Sequence, residues 1–194
     1  MAEIQTWFPE TIYNEKLLNS IENSKVDNLI SSLDKKYFKC TDDWLCPTIT
    51  TFNLYSIHTS SNKIFIDLVD KIEEHVNAFA RILGSEHKFK CKESWINISQ
   101  KGNYQECHVH PNNSFSAVYY IKVPNNSGNI VFRKMPFETY ELKGTRDRSN
   151  EYTYQSATYE VEEGQLLIFR SHIPHMVTEN KSDENRISIA LNFD

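Results

Sequence analysis

The sequence predicts an α+β domain in which helices come first and a β-sandwich or barrel follows, with the helices packed against one side. Two changes in apolar rhythm carry this reading. Up to residue 88 the apolar residues recur at steps of three and four, as on one face of a helix; beyond it they alternate with period two in short runs bounded by turn residues. Size is the third observation. A chain of 194 residues can bury one substantial core, and no linker, repeat or low-complexity stretch divides it. A single domain over residues 1–194 is expected, with mainly helical support over 1–88 and a strand core over 89–194.

Taken in order, residues 1–14 hold a short apolar stretch, Ile4 to Phe8, ended by Pro9, which suits an edge strand or an extended arm. Over 15–39 the spacing of Leu17, Leu18, Ile21, Val26, Leu29, Ile30 and Leu33 predicts one or two amphipathic helices. Residues 40–61 read as loop, with Trp44 and Pro47, either tucked against the core or shaping the rim of a pocket. The clearest helix is 62–83, where Phe65, Leu68, Val69, Ile72, Val76, Phe79, Ala80 and Leu83 form one stripe. Ser60 and Ser61 are its candidate N-caps and Gly84 its stop. Predicted strands follow at 91–99, 104–110, 115–123, 129–133, 158–161, 165–171 and 186–193. The polar stretch 137–155 has no apolar rhythm and reads as a loop or lid.

Composition narrows the function class. Hydrophobic residues make up 39% and charged residues 24%, an ordinary globular balance, and the formal charge of −5 argues against a phosphate backbone as partner. Apolar runs fall far short of the roughly 20 residues that cross a bilayer. The start Met1-Ala2-Glu3-Ile4 lacks the basic and apolar segments of a secretion signal, so a cytoplasmic location is expected. Cys40, Cys46, Cys91 and Cys107 show no CxxC spacing and are expected to be free thiols.

The chemistry concentrates in two stretches. In YQECHVHPNNSFSAVYYIKV (Tyr104 to Val123), His108 and His110 sit two apart on a strand, so both imidazoles leave one face and can reach one metal ion. Glu106 shares that face. Far downstream, His175 follows Pro174, and the last strand is divided sharply. Arg186, Ser188, Ala190 and Asn192 lie on one face, and Ile187, Ile189, Leu191 and Phe193 on the other. One face can pack on helices while the other, small and polar with a guanidinium at its end, suits an anionic ligand. Each half has an ordinary reading alone: two surface histidines, and a surface salt bridge. His58, His75 and His87 have no partner pattern and are read as surface or core-edge residues.

The ordered series of motifs is similar to the 2-oxoglutarate and Fe(II)-dependent oxygenases, closest to their bacterial and phage branch. It comprises W-x-N (Trp95, Asn97), Q-E-x-H-x-H-P (Gln105 to Pro111), S-x-V-Y-Y (Ser116 to Tyr120), P-x-x-S-G-x-I-x-F (Pro124 to Phe132), the Gly164 strand, P-H-x-V (Pro174 to Val177) and R-I-S-I-x-L-N-F (Arg186 to Phe193). The resemblance implies a double-stranded β-helix, or jelly-roll, core. It implies that His108 and His175 are iron ligands, that Arg186 and Ser188 bind the distal carboxylate of 2-oxoglutarate, that Tyr120 bonds the same carboxylate, and that Asn97 contacts the cofactor. His172 is read as packing or rim. The chain departs from the family's pattern at His110, where a carboxylate usually completes the ligand set. Three imidazoles are the expected set; Glu106 is the alternative source of the third donor.

The implied activity is hydroxylation of an unidentified substrate, small molecule or peptide, with Fe(II) as cofactor, 2-oxoglutarate and O2 as co-substrates, and succinate and CO2 released. Substrate contacts are expected from loops 40–61 and 137–155. The alternative from another class is a non-catalytic metal-binding jelly roll of the cupin kind, acting as a small-molecule binder or sensor. Arg186-x-Ser188 at its spacing after His175 weighs against it.

Overall fold

The long amphipathic stripe forms helix α2 (Lys63–Ile82), and Phe65, Leu68, Val69, Ile72, Val76, Phe79 and Ala80 are all buried along it. The computed structural model describes residues 3–5, 9–41, 44–135, 150 and 152–194. Asn62, not Ser60 or Ser61, caps α2: its side chain accepts from the Ile64 N–H, while Ser60 Oγ accepts from the Asn62 N–H one step earlier. Gly84 ends the helix as expected, at φ +85°, a conformation open to a residue without Cβ. A shorter helix α1 (Ser20–Ser31) precedes it, closed by a capping box between Asn19 and Glu22.

Eleven strands are described: β1 (Ile12–Lys16), β2 (Lys39–Cys40), β3 (Ile49–Thr50), β4 (Cys91–Ser99), β5 (Gln105–His108), β6 (Phe115–Lys122), β7 (Ile130–Arg133), β8 (Ser156–Tyr159), β9 (Gln165–Arg170), β10 (His175–Val177) and β11 (Arg186–Phe193). They form a seven-stranded sheet in the order β1-β9-β6-β11-β4-β3-β2 and a four-stranded sheet in the order β5-β10-β7-β8. Every pairing is antiparallel.

The division of the last strand survives folding. Ile189, Leu191 and Phe193 join the buried stripe of α2 in one large core, with Ile187 packed against it. Asn23 of α1 ties that helix to the same sheet: its Nδ2 donates to Ile121 O, and Tyr119 Oη donates to its Oδ1. A smaller core of Tyr120, Ile130, Phe132, Leu167, Phe169 and Ile173 joins the two sheets, with Phe132 and Phe169 edge to face at 4.9 Å.

Three expectations are revised, and a fourth falls on residues outside those described. Strand β10 was not predicted, because three residues after a proline carry no alternation to read. The edge strand near the N-terminus lies at Ile12–Lys16, later than the apolar stretch at Ile4 to Phe8, part of which is outside the described residues. Loop 40–61 supplies β3 and the second residue of β2, so the segment before residue 88 contributes three strands as well as helices. Most of the expected lid at 137–155 lies outside the described residues. All four cysteines are free, and no helix among the described residues is long and apolar enough to cross a membrane.

Candidate active site

Register builds one floor of the site. On β4, β11 and β6, Asn97, Ser188 and Tyr120 are direct cross-strand partners, so their side chains leave the same face in one row. Arg186 and Ser99 form the row on one side; Trp95, Ala190 and Val118 form the next row on the other, followed by Glu93, Asn192 and Ser116. These rows line a cavity of about 280 Å³, roofed by residues of the smaller sheet and of the segments around β3.

The three histidines meet over this floor. His108 closes β5, His175 opens β10, and the two are register partners. His110 arrives two residues later, fixed by a backbone hydrogen bond from its N–H to Ser171 O at 3.0 Å. One ligand atom from each of the three lies within 4.8 Å of the others, so the group can hold a metal ion. Two of the rings have a defined tautomer. His108 Nδ1 is 2.8 Å from Glu106 O and His175 Nδ1 is 3.0 Å from Ile173 O. A carbonyl only accepts, so each Nδ1 carries the hydrogen and each Nε2 keeps a bare lone pair for a metal. Burial, with the neighbouring His108, pushes His175 down to about 3 and His110 to about 4, so both rings are neutral at physiological pH, as ligation requires.

Glu106 is not part of this group. Its carboxylate accepts from the Leu45 N–H at 3.2 Å and from Gln105 Nε2 at 2.9 Å, tying the segment near Trp44 to the histidine strand. His110 has a different support: its Nδ1 lies 3.5 Å from Asn192 Nδ2, which also donates to Glu93 at 2.9 Å. Asn192 is fixed in turn by Ser116 Oγ, which donates to its Oδ1.

At the other end Arg186 is 7% exposed. Its Nη1 donates to Ser127 O at 3.2 Å and Gly128 O at 3.3 Å, its Nε has no partner, and it makes no salt bridge among the described residues. A guanidinium buried without a counter-ion costs several kcal/mol, and an anion entering the cavity offsets that cost. Tyr120 stands close enough for their charges to interact; burial raises its hydroxyl to about 12, so it remains a donor. Asn97 is held by Thr50, whose Oγ1 donates to its Oδ1 at 2.8 Å. The donor set therefore fits both groups that the sequence implies: neutral nitrogens for a ferrous ion, and an uncompensated cation with hydroxyl neighbours for a dicarboxylate.

All seven predicted site residues line the one cavity. The sequence reading missed the carbonyls of Ser127 and Gly128 that hold Arg186. It reached Trp44 and Phe52 only as members of loop 40–61, and Trp95 only as part of W-x-N, and it gave Glu93 no role. Period two on β4 places Glu93, Trp95, Asn97 and Ser99 on one face, and that was the available signal. His58, His75, His87 and His172 stay outside the cavity lining, as expected. His58 pairs with Ser94, His75 with Tyr13, and His172 lies near Glu10.

The family model described as "Putative 2OG-Fe(II) oxygenase" matches residues 93–192, which contain every residue named above from the large-sheet floor and the histidine group. No curated protein matches the sequence. Among solved structures, a Pseudomonas putida prolyl-4-hydroxylase is similar with a TM-score of 0.68 at 13% identity, covering 95% of this chain and 92% of that one. HygX from Streptomyces hygroscopicus, solved with nickel and 2-oxoglutarate, is similar with a TM-score of 0.65 at 12% identity, covering 95% and 82%. The α-ketoglutarate-dependent epimerase SnoN of nogalamycin biosynthesis has a TM-score of 0.68 at 12% identity, covering 95% and 78%. At these identities the likeness is one of fold.

Proposed function

The chain belongs to the 2OG-Fe(II) oxygenase family, and from that premise we propose that it is a hydroxylase whose iron is held by His108, His110 and His175 and whose 2-oxoglutarate is held by Arg186, Ser188, Tyr120 and Asn97. The carrying observation is Arg186: a buried guanidinium with no carboxylate partner among the described residues, in the same cavity as three converging imidazoles. We read the two sheets as the double-stranded β-helix of the family, and residues 1–194 as one domain whose helices support the seven-stranded sheet.

Bound Fe(II) with 2-oxoglutarate supplies the oxidising chemistry, in which O2 takes two electrons from oxidative decarboxylation of the keto acid to succinate and CO2 and two from the substrate. The protein's part is to bind, orient and shield. His108 and His175 present Nε2 lone pairs because backbone carbonyls fix their tautomers. Arg186 offers the N–H groups not engaged by Ser127 and Gly128, and the guanidinium fork matches a carboxylate. Ser188 and the protonated Tyr120 stand in the adjacent row to add hydroxyl donors. Val118, Ala190, Ile130 and Phe169 give the cavity apolar walls that exclude water.

Purified protein incubated with Fe(II), 2-oxoglutarate and O2 should form succinate, and the Arg186→Met variant should not. Succinate formation unaffected by that change would remove the proposed clamp. Hydroxylation, as opposed to the epimerisation carried out by one structural neighbour, requires that product gain one oxygen atom from labelled O2.

A further inference from the structure

The last row of the floor is a polar chain that ends on His110. Glu93 on β4 and Ser116 on β6 are the cross-strand partners of Asn192 on β11. Asn192 Nδ2 donates to Glu93 Oε2 at 2.9 Å, and Ser116 Oγ donates to Asn192 Oδ1 at 2.8 Å. Ser116 Oγ lies 2.8 Å from Ser171 Oγ, and the Ser171 carbonyl accepts from the His110 N–H. Asn192 is 2% exposed, so its amide takes its partners from the protein. The second Nδ2 hydrogen is left for His110 Nδ1, 3.5 Å away. That is long for a hydrogen bond, but it decides which polarity the ring meets.

This arrangement sets His110 apart from the other two histidines. His108 and His175 each meet a carbonyl oxygen at Nδ1, which holds the hydrogen there and bares Nε2. His110 meets an amide nitrogen, and a neutral ring facing an N–H donor keeps its hydrogen on the opposite nitrogen. Turning the amide over would bring its oxygen to Nδ1, the partner a ring bound through Nε2 requires. A carboxylate only accepts, so the turned amide would set its oxygen against Glu93 Oε2. Ser116 does not oppose the turn, since its hydroxyl can accept from the amide and donate to Ser171 Oγ. Glu93 is therefore the member of the row that fixes which end of Asn192 the ring sees.

We propose that Glu93, acting through Asn192, is a positioning residue that holds the hydrogen of His110 on Nε2 and so weakens the third bond of the metal group. This rests on the metal reading of the three histidines and adds the control of one of them. Binding a metal through Nε2 moves the ring's one hydrogen to Nδ1, with no proton gained or lost. Two donors then face each other across 3.5 Å, unless the amide turns against Glu93. An outer partner that accepts from a ligating histidine strengthens its bond to the metal; the Glu93–Asn192 pair does the reverse.

Nitrogen NMR of ring-labelled histidine in the metal-free full chain reads the hydrogen position, with His108 and His175 as internal references that carry it on Nδ1. The parent should show His110 with its hydrogen on Nε2; finding it on Nδ1 overturns the proposal whatever the variants do. Anaerobic calorimetry with Fe(II) is the second readout. Glu93→Gln removes the bar to turning Asn192, because an amide can donate as well as accept, and Glu93 is exposed, so the core is left intact. Affinity should rise at least about threefold, part of the roughly 10- to 100-fold worth of an outer-shell partner. Loss of a nearby negative charge alone would lower it, so the sign of the change separates positioning from plain electrostatics. The swap Glu93→Gln/Asn192→Asp keeps the net charge and sets a carboxylate against His110. It should put the hydrogen on Nδ1 and raise Fe(II) affinity at least about tenfold. An affinity in Glu93→Gln equal to or below the parent's overturns the proposal. A parent chain that binds no Fe(II) fails the metal reading instead, and the hydrogen position in the metal-free protein still decides what Glu93 does.

Discussion

His108 and His175 are register partners on adjacent antiparallel strands, with ring centroids 4.3 Å apart. Pairing across a ladder sets the two rings on the same face at the closest spacing a sheet offers. Their Nδ1 hydrogens are both spent on backbone carbonyls of their own strands' approach, Glu106 and Ile173. Metal affinity should therefore depend most on this pair.

Replacing either one by alanine should lower Fe(II) affinity at least about 100-fold, since ligand loss exceeds the 10- to 100-fold cost of losing an outer-shell partner. Anaerobic calorimetry reads this directly, and unchanged affinity in either variant would dismantle the site.

His110 should be the weakest of the three ligands. Asn192 directs an amide N–H at its Nδ1 from 3.5 Å, which favours the hydrogen on Nε2 and works against ligation there. We expect His110→Ala to lose less affinity than His175→Ala, and His110→Asp to keep more metal than His110→Ala. Glu106→Gln should bind Fe(II) as the parent does, because its carboxylate is already engaged by Leu45 and Gln105. Loss of iron in that variant would make Glu106 the displaced carboxylate ligand.

For Arg186→Met the dissociation constant of 2-oxoglutarate should rise about 10- to 150-fold, the worth of a charge-assisted pair of 1.5–3 kcal/mol. Metal content should not change. Less than a twofold rise would return Arg186 to a structural role.

Gly128→Ala tests the support of that guanidinium. Gly128 has φ +89°, and a Cβ there would meet the backbone oxygen of Thr178 at 2.2 Å. Its carbonyl, which accepts from Arg186, must move when the loop gives way. Affinity for 2-oxoglutarate should fall more than Fe(II) affinity, and equal losses would point to general unfolding, checked by thermal denaturation.

The apoprotein should weaken in mild acid. His110 and His175 are held below the ordinary histidine value, at about 4 and about 3, by burial and by His108. The unfolded chain takes up these protons first, so stability is full above about pH 6.5 and falls as pH drops from there toward 4, by at most about 1.4 kcal/mol per unit per group. Urea midpoints measured across this window should decline steadily, and more steeply with metal bound, because protons compete with the metal for the same imidazoles. A flat profile would mean that neither ring is buried as described.

The local choices were legible in the chain. Period three to four fixed α2 and the face it buries, and period two fixed the strands and split β11 into Ile187, Ile189, Leu191 and Phe193 against Arg186, Ser188, Ala190 and Asn192. These patterns are local because side-chain direction follows from backbone geometry alone. His108 and His110 could be seen as neighbours for the same reason.

Only the tertiary structure decided what lies opposite what. Whether His110 or Glu106 joins the metal group depends on Leu45 N–H capturing one carboxylate, a contact made by a segment with no periodicity to read. Trp44 and Phe52 become one wall with Trp95 only because β3 pairs beside β4 and carries its flanking loops over that strand. Arg186 is buried, instead of forming half of a surface ion pair, because the turn at Ser127 and Gly128 covers it and, among the described residues, answers it with carbonyls alone. Burial and the lack of a carboxylate partner among the described residues are properties of the packed chain, which no local pattern along β11 carries.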